Sequence, residues 1–314
     1  MYGEFVQWLT SGESAPPLED APPGACRGVL VGWLRDVLLP LVWAEIGREC
    51  VDSATGATRP VTTADVCLKI VRPATESTKC RYVELEHMRG TRDVILPGVT
   101  LLGPRALVGR TSSFASHCWG APFADLVAAL CHGMSDDAYV FVDIFAVKQH
   151  YPDHASAPRD IQADLDFVPI VQACGSLILC AAHLPSVAAL PVQAAQRGMM
   201  DDGSPLVVTA ADRARCAFWR VWCLVELAAA LAKGVPVVML VGGKDGSGGF
   251  VPELSMLQPN LGYLVDVGSA DATVKNDIPL IMDQMLPKII GVDSRAAAIE
   301  KGEPERHSLA HLQA

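Results

Sequence analysis

Glu226 sits where an acid needs an explanation. It lies in Phe218–Val241, FWRVWCLVELAAALAKGVPVVMLV, on a helix whose other charges are Arg220 and Lys233. Trp222 precedes it by four residues and Trp219 by seven, so on a helix two indoles and one carboxylate share a face. Helix geometry alone favours the plain explanation, a face that reaches solvent. His117 and Cys118 look like a base and its nucleophile, but adjacent strand residues point to opposite sides and cannot pair. His117 keeps its interest because it stands beside Trp119 at a strand end, where ligand crevices form; the competing reading is a hydrogen-bonded rim histidine. Asp143 is the polar exception in Tyr139–Val147, YVFVDIFAV. A buried carboxylate costs roughly several kcal/mol without a partner, so Asp143 either faces the crevice or caps a neighbouring element. In His150-Tyr151-Pro152-Asp153-His154 the central proline disfavours the helix that would aim both histidines at one ion. No second cluster completes a site, so no metal is expected. Gly242-Gly243-x-x-Gly246 reads as a flexible turn, and no G-x-G-x-x-G, P-loop or H-E-x-x-H sits where it would carry meaning.

These residues need elements to hold them. The helix around Glu226 is rich in Ala and Leu and stops at Gly234, with Lys233 in its last turn and Pro236 just beyond. The β-branched run that follows, up to Val241, has the composition of a strand covered on both faces. Upstream, Ser112–Trp119 reads as a short strand, Pro122–Cys131 as a helix and Tyr139–Val147 as a strand. Ile161–Cys174 has helical spacing, and Leu177–Cys180 is another buried strand. Strand and helix alternate, which is the pattern of a parallel sheet with crossover helices, whose ligands bind beyond the carboxyl ends of the strands. Leu261–Val267 is a candidate fifth strand and Asp277–Ile290 a last helix. Lys148–Asp160 and His183–Cys216 interrupt the rhythm as insertions, and GGKDGSGG after Val241 reads as a flexible loop.

The remaining regions divide as follows. Residues 1–27 form a flexible, proline-containing arm, 28–110 a mainly helical extension and connector, 111–292 the α/β domain with its insertion at 183–216, and 293–314 a tail. Thr62-Thr63-Ala64-Asp65 supplies N-cap residues for a helix that Pro73 ends. Gly28–Ile46 is apolar but carries Arg35, Asp36, Pro40 and Glu45, so it reads as a buried, proline-kinked helix and not a membrane span. A net charge of −10 with 25 Lys+Arg and no basic stripe argues against nucleic acid as partner. The ten cysteines include no C-x-x-C pair and often sit in apolar runs; with no secretory signal at Met1, they read as reduced thiols of a cytoplasmic protein.

Three blocks together resemble a known family. Ser116-His117-Cys118-Trp119-Gly120, then Val142-Asp143-Ile144-Phe145 with Gln149, then Arg220-x-Trp222-Cys223-Leu224-x-Glu226, resemble TIR-like proteins of algae, protists and fungi. The first two blocks are similar to the fungal heterokaryon-incompatibility domain, and the third to the W-C-L-x-E-L helix of plant TIR domains. The likeness covers about residues 110–245. It departs from the heterokaryon pattern at Ala146-Val147-Lys148 and from ordinary TIR domains in the insertion at 183–216.

The resemblance implies a flavodoxin-like, TIR-like parallel sheet flanked by helices, in an intracellular signalling or innate-immunity protein that self-associates through its α/β domain or with other TIR-like proteins. Many TIR domains hydrolyse NAD to nicotinamide and ADP-ribose with the glutamate of that helix, which here is Glu226; NAD is then substrate, with no resident cofactor. Ordinary glycosidases need two carboxyl groups because the leaving alkoxide must be protonated. Nicotinamide leaves NAD neutral, so one carboxylate suffices to stabilise the ribosyl cation, hold ribose hydroxyls or orient water. On this reading Glu226 is catalytic and Ser116, His117, Trp119, Asp143 and Trp222 bind substrate. Two further readings stay open: a non-catalytic TIR- or heterokaryon-like interaction module, and a flavodoxin-like nucleotide binder that does no chemistry.

Overall fold

The computed structural model describes residues 22–52, 55–93, 104–151, 164–182 and 213–252, together with 209, 270–272, 278 and 281. The fold is α/β. A seven-stranded sheet contains β1 (Gly28–Leu30), β2 (Val108–Gly109), β3 (Ser113–His117), β4 (Tyr139–Phe141), β5 (Ser176–Ala182), β6 (Val237–Lys244) and β7 (Phe250–Pro252). Its order is β7-β6-β5-β3-β4-β1-β2. The stretch β4-β3-β5-β6 is parallel, with Ser113 opposite both Val140 and Ser176, and Val237 opposite Leu177. Taken in chain order, those four strands lie as second, first, third and fourth, which is the flavodoxin-like arrangement. The direction of winding reverses between β3 and β5. A crevice therefore opens beyond the carboxyl end of β3.

The sheet is mixed where a parallel one was expected. β1 runs antiparallel to β4, β2 to β1, and β7 to β6. Residues 28–110 thus supply two strands to the sheet as well as helices packed on it. Gly28-Val29-Leu30 was read as the start of a helix because a short apolar run has no period that separates the two states. The expected flexible loop after Val241 is instead a closed hairpin turn: Asp245 Oδ1 accepts from Ser247 Oγ at 2.7 Å and from Gly249 N–H at 2.9 Å.

Five helices longer than one turn cover the described sheet. We label them α1 (31–45), α2 (63–75), α3 (Phe123–Gly133), α5 (Phe167–Ala173) and α6 (Val221–Lys233), with the single turn Asp143–Ala146 as α4. Pro73 was expected to end α2, but the helix continues to Thr75, and α1 likewise runs through Pro40. Each helix widens into a π turn just before its proline, Leu34–Leu38 and Cys67–Val71. Leu39 N–H reaches back to Leu34 O and Arg72 N–H to Cys67 O, which makes room for the ring and lets the helix continue. The α2 N-terminus carries the expected cap, a reciprocal Thr62–Asp65 capping box. α6 closes on Gly234 at φ 72° and ψ 24°, the left-handed cap its sequence predicts.

Two apolar layers enclose the sheet. On one face Ala115 and Ile178 pack with α1, α2 and α3; on the other, Phe114, Phe141 and Leu177 pack with α5 and α6. All ten cysteines are free, and burial pushes Cys67, Cys174 and Cys180 up to about 12, so these three behave as apolar side chains. No described helix is long and apolar enough to cross a membrane. Leu261–Val267 and nearly all of Asp277–Ile290 lie outside the described residues.

Candidate functional site

Alternation along β3 sends Ser116 to the same side as Phe114, toward α6, and His117 to the side of Ala115, toward α3. Glu226 meets Ser116 on the α6 side. The residue is 5% exposed, so the solvent-facing reading of this helix face is overturned. A helical wheel shows which residues share a face but not what covers it. Burial pushes the Glu226 carboxyl well above the ordinary glutamate value; the adjoining Ser116 hydroxyl opposes that rise and the charge of Asp143 adds to it. Burial therefore favours the protonated, neutral form of this carboxyl. Cys223, one turn earlier, donates to His117 O at 3.3 Å and ties α6 to the end of β3.

Around the strand end lies the second group. The strand expected over Tyr139–Val147 stops at Phe141, and Asp143 opens α4. β3 registers with β4 through Ser113 and Phe114, and beyond Phe141 the chain is free to turn. Asp143 thereby reaches the carboxyl edge. Its Oδ2 accepts from Trp119 Nε1–H at 2.7 Å and its Oδ1 from Ile144 N–H at 2.7 Å, while His117 Nε2 stands 3.7 Å from Oδ1. The chief partner of the half-buried Asp143 is thus the Trp119 indole. His117 Nε2 and Glu226 Oε2 are buried without a well-formed hydrogen bond, and Ser116 Oγ, although it adjoins Glu226, is not in good hydrogen-bonding geometry either. Orphaned buried polar atoms are rare in folded proteins, and a cluster of them at one strand end marks a place built to receive a polar group.

Residues from the N-terminal region hold both loops of this site. At the start of α2, Ala64 N–H donates to Trp119 O at 2.9 Å and Thr63 N–H to Ala121 O at 3.2 Å. Farther along α2, Cys67 Sγ donates to Gln149 Oε1 at 3.5 Å. Gln149 Nε2 in turn reaches Asp143 O at 3.2 Å and Val147 O at 3.1 Å, closing α4. Gln149 was singled out in sequence; Cys67, Thr63 and Ala64 were not, because nothing local connects them to a loop so distant in the chain.

Gly120 completes the Trp119 loop. A Cβ there would stand 2.2 Å from Ala214 O, a carbonyl that already accepts from Cys118 Sγ at 2.9 Å. Gly120→Ala must displace backbone on one side or the other. We expect a loss of about 1–3 kcal/mol, read as a lower midpoint in denaturant titration. An unchanged midpoint would mean that the 213–216 segment yields freely.

The structure brings Ser116, His117, Trp119, Asp143 and Glu226 to the carboxyl end of β3 and engages Trp222 elsewhere. The Trp222 indole packs edge-on against Phe167, centroids 5.4 Å apart. Trp219 lies in a 3-10 turn before α6, not on the helix face with Glu226. Of the histidine-rich loop, Pro152, Asp153 and His154 lie outside the described residues. His150 accounts for itself within α2, with Nε2 2.9 Å from Thr75 Oγ1. Among the described residues no group of three or more His, Cys, Asp or Glu could hold a metal ion. A narrow crevice flanks His117 on the α3 side, between Asp125, Leu126, Cys180 and Gly242. Asp125 is engaged there, accepting from Lys244 N–H at 2.7 Å. No protein-family model, curated protein or solved structure matches this chain.

Proposed function

We propose that the chain is a TIR-like hydrolase that cleaves the bond between nicotinamide and ribose in NAD, with Glu226 as its catalytic carboxylate. One observation carries the reading: Ser116 Oγ, His117 Nε2 and Glu226 Oε2 lie buried without a well-formed hydrogen bond at the end of β3, beside the point where the winding of the sheet reverses. In the reaction the C1′–N bond breaks with its electron pair passing to the pyridinium nitrogen, so nicotinamide leaves neutral. Water forms the new bond to C1′ and yields its proton to the Glu226 carboxylate, which passes it to solvent. Burial favours the protonated form of that carboxyl, so turnover is helped by whatever ionises it. A cationic pyridinium beside it, or water admitted on self-association, does so.

Nicotinamide release by the purified chain, followed at several protein concentrations, tests this. Release should rise faster than linearly with concentration and fall by at least about a thousandfold in Glu226→Gln. Equal release by the folded variant would remove Glu226 from the chemistry. A second reading, a non-catalytic interaction module in signalling, draws on the 5% exposure of Glu226. It predicts no release at any concentration.

A further inference from the structure

The pair formed by His117 and Asp143 is chemically incomplete in a specific way. His117 Nδ1 lies 3.3 Å from Ala115 O. A carbonyl oxygen accepts and never donates, so in the neutral ring Nδ1 carries the proton and Nε2 presents a lone pair. Nε2 has no partner, and the nearest charged atom is Asp143 Oδ1 at 3.7 Å, itself an acceptor. With the ring neutral, two acceptors stand side by side with no donor between them. Neither is free to turn away. Asp143 is fixed by Trp119 and Ile144 on its two oxygens and by Gln149 on its carbonyl. The His117 side chain is 3% exposed, while that of Asp143 is 23% exposed, so the pair opens outward on the aspartate side. A single hydroxyl has one proton and satisfies one of the two. A vicinal diol satisfies both, one hydroxyl to each acceptor.

We propose that His117 and Asp143 form a subsite for the cis-diol of a ribose, seated across the carboxyl end of β3 with Glu226 on its other side. The inference rests on the reading of this site as an NAD hydrolase, and it assigns the sugar contacts to residues other than the carboxylate that acts on C1′. The adjacency of Ser116 and His117 supports it. Consecutive strand residues project to opposite faces, so one strand end offers Ser116 with Glu226 on the α6 side and His117 on the other, where it meets Asp143.

The test measures binding of NAD, and of its analogues lacking one hydroxyl of the nicotinamide ribose, to the whole chain by calorimetry. The same titrations are run on His117→Leu and His117→Gln, and nicotinamide release is assayed in parallel. In the native chain, loss of either hydroxyl should weaken binding roughly 10- to 100-fold. In His117→Leu the penalty for one of the two hydroxyls should shrink to less than about threefold. His117→Gln, whose carbonyl oxygen can stand where Nε2 stood, should restore it; this rescue separates a lost contact from a misfolded variant. Hydroxyl penalties that are the same in all three proteins overturn the subsite and leave the hydrolase reading intact if nicotinamide is released. A penalty coupled to His117 without nicotinamide release keeps the subsite and overturns the hydrolase. If His117 couples instead to replacement of the carboxamide by a carboxylate, the donors are an amide group and the diol assignment falls. Absence of NAD binding overturns both.

Discussion

Glu226→Gln should make the protein more stable than the native chain at alkaline pH, and less so or not at all near pH 5. The sign follows from proton counting. In the unfolded chain the carboxyl ionises at the ordinary glutamate value, whereas burial holds the folded one protonated well above it. Between those two values the native state binds one more proton than the unfolded state, so stability falls as pH rises. The native-state advantage is complete below the unfolded value and is lost progressively toward the folded one. Each pH unit inside that window costs about 1.4 kcal/mol, equivalent to roughly 2 °C in the melting temperature of a chain this size. Glutamine keeps the shape and cannot ionise, so its stability should not show this decline. Urea titrations at pH 5.5, 7 and 8.5 would show the two curves separating; curves that stay parallel would mean that water already reaches Glu226 in the folded chain. The same proton links stability to activity. If the carboxylate is the catalytic form, nicotinamide release should rise with pH across the range where stability falls.

Much of this arrangement was legible in the sequence, and the exceptions have physical causes. The parallel core followed from the alternation of β-branched runs with helical periods, and Gly234 fixed the end of α6 through its left-handed cap. That Ser116, His117, Trp119, Asp143 and Glu226 converge was readable because the motifs lie at strand ends and at the first turns of the following helix. The burial of Glu226 was not readable, since the facing partner, Ser116, lies 110 positions upstream, a separation no helical period encodes. Asp143 was misplaced inside a strand because YVFVDIFAV favours extended chain throughout. What ends β4 is the register with β3, a tertiary fact. Pro73 misled for a related reason. A proline ring clashes with the preceding turn in a regular α-helix, but the π turn Cys67–Val71 just before Pro73 relieves that clash, and no local sequence rule announces a π turn.

Asp164→Ala should cost the fold about 3 kcal/mol, a drop of roughly 4–5 °C in melting temperature for a chain this size. Asp164 is 2% exposed and gathers two guanidinium groups. Its Oδ1 accepts from Arg27 Nη1 at 2.8 Å and Arg81 Nη2 at 2.6 Å, and its Oδ2 from Arg81 Nε at 2.7 Å. Arg27 immediately precedes β1 and Arg81 opens the 3-10 turn Tyr82–Glu84, so one carboxylate ties two N-terminal segments to the entry of α5. Removing it strands positive charge in a largely dry setting, which costs more than the pair itself contributes. The loss stays near the lower end of the usual range because Arg81 keeps Glu84 and Arg27 keeps Ala146 O at 3.4 Å. Asp164→Asn, which retains one acceptor, should lose about half as much. The consequence reaches the candidate site. Phe167, three residues on, packs against Phe114 at 5.8 Å and Phe141 at 6.1 Å, and Phe114 lies two positions before Ser116 on β3. A loosened α5 entry should therefore raise hydrogen exchange at Phe114–Ser116 before it does so at α3 or α1. Uniform exchange across the sheet would mean that Asp164 supports the fold as a whole and not the floor of the site.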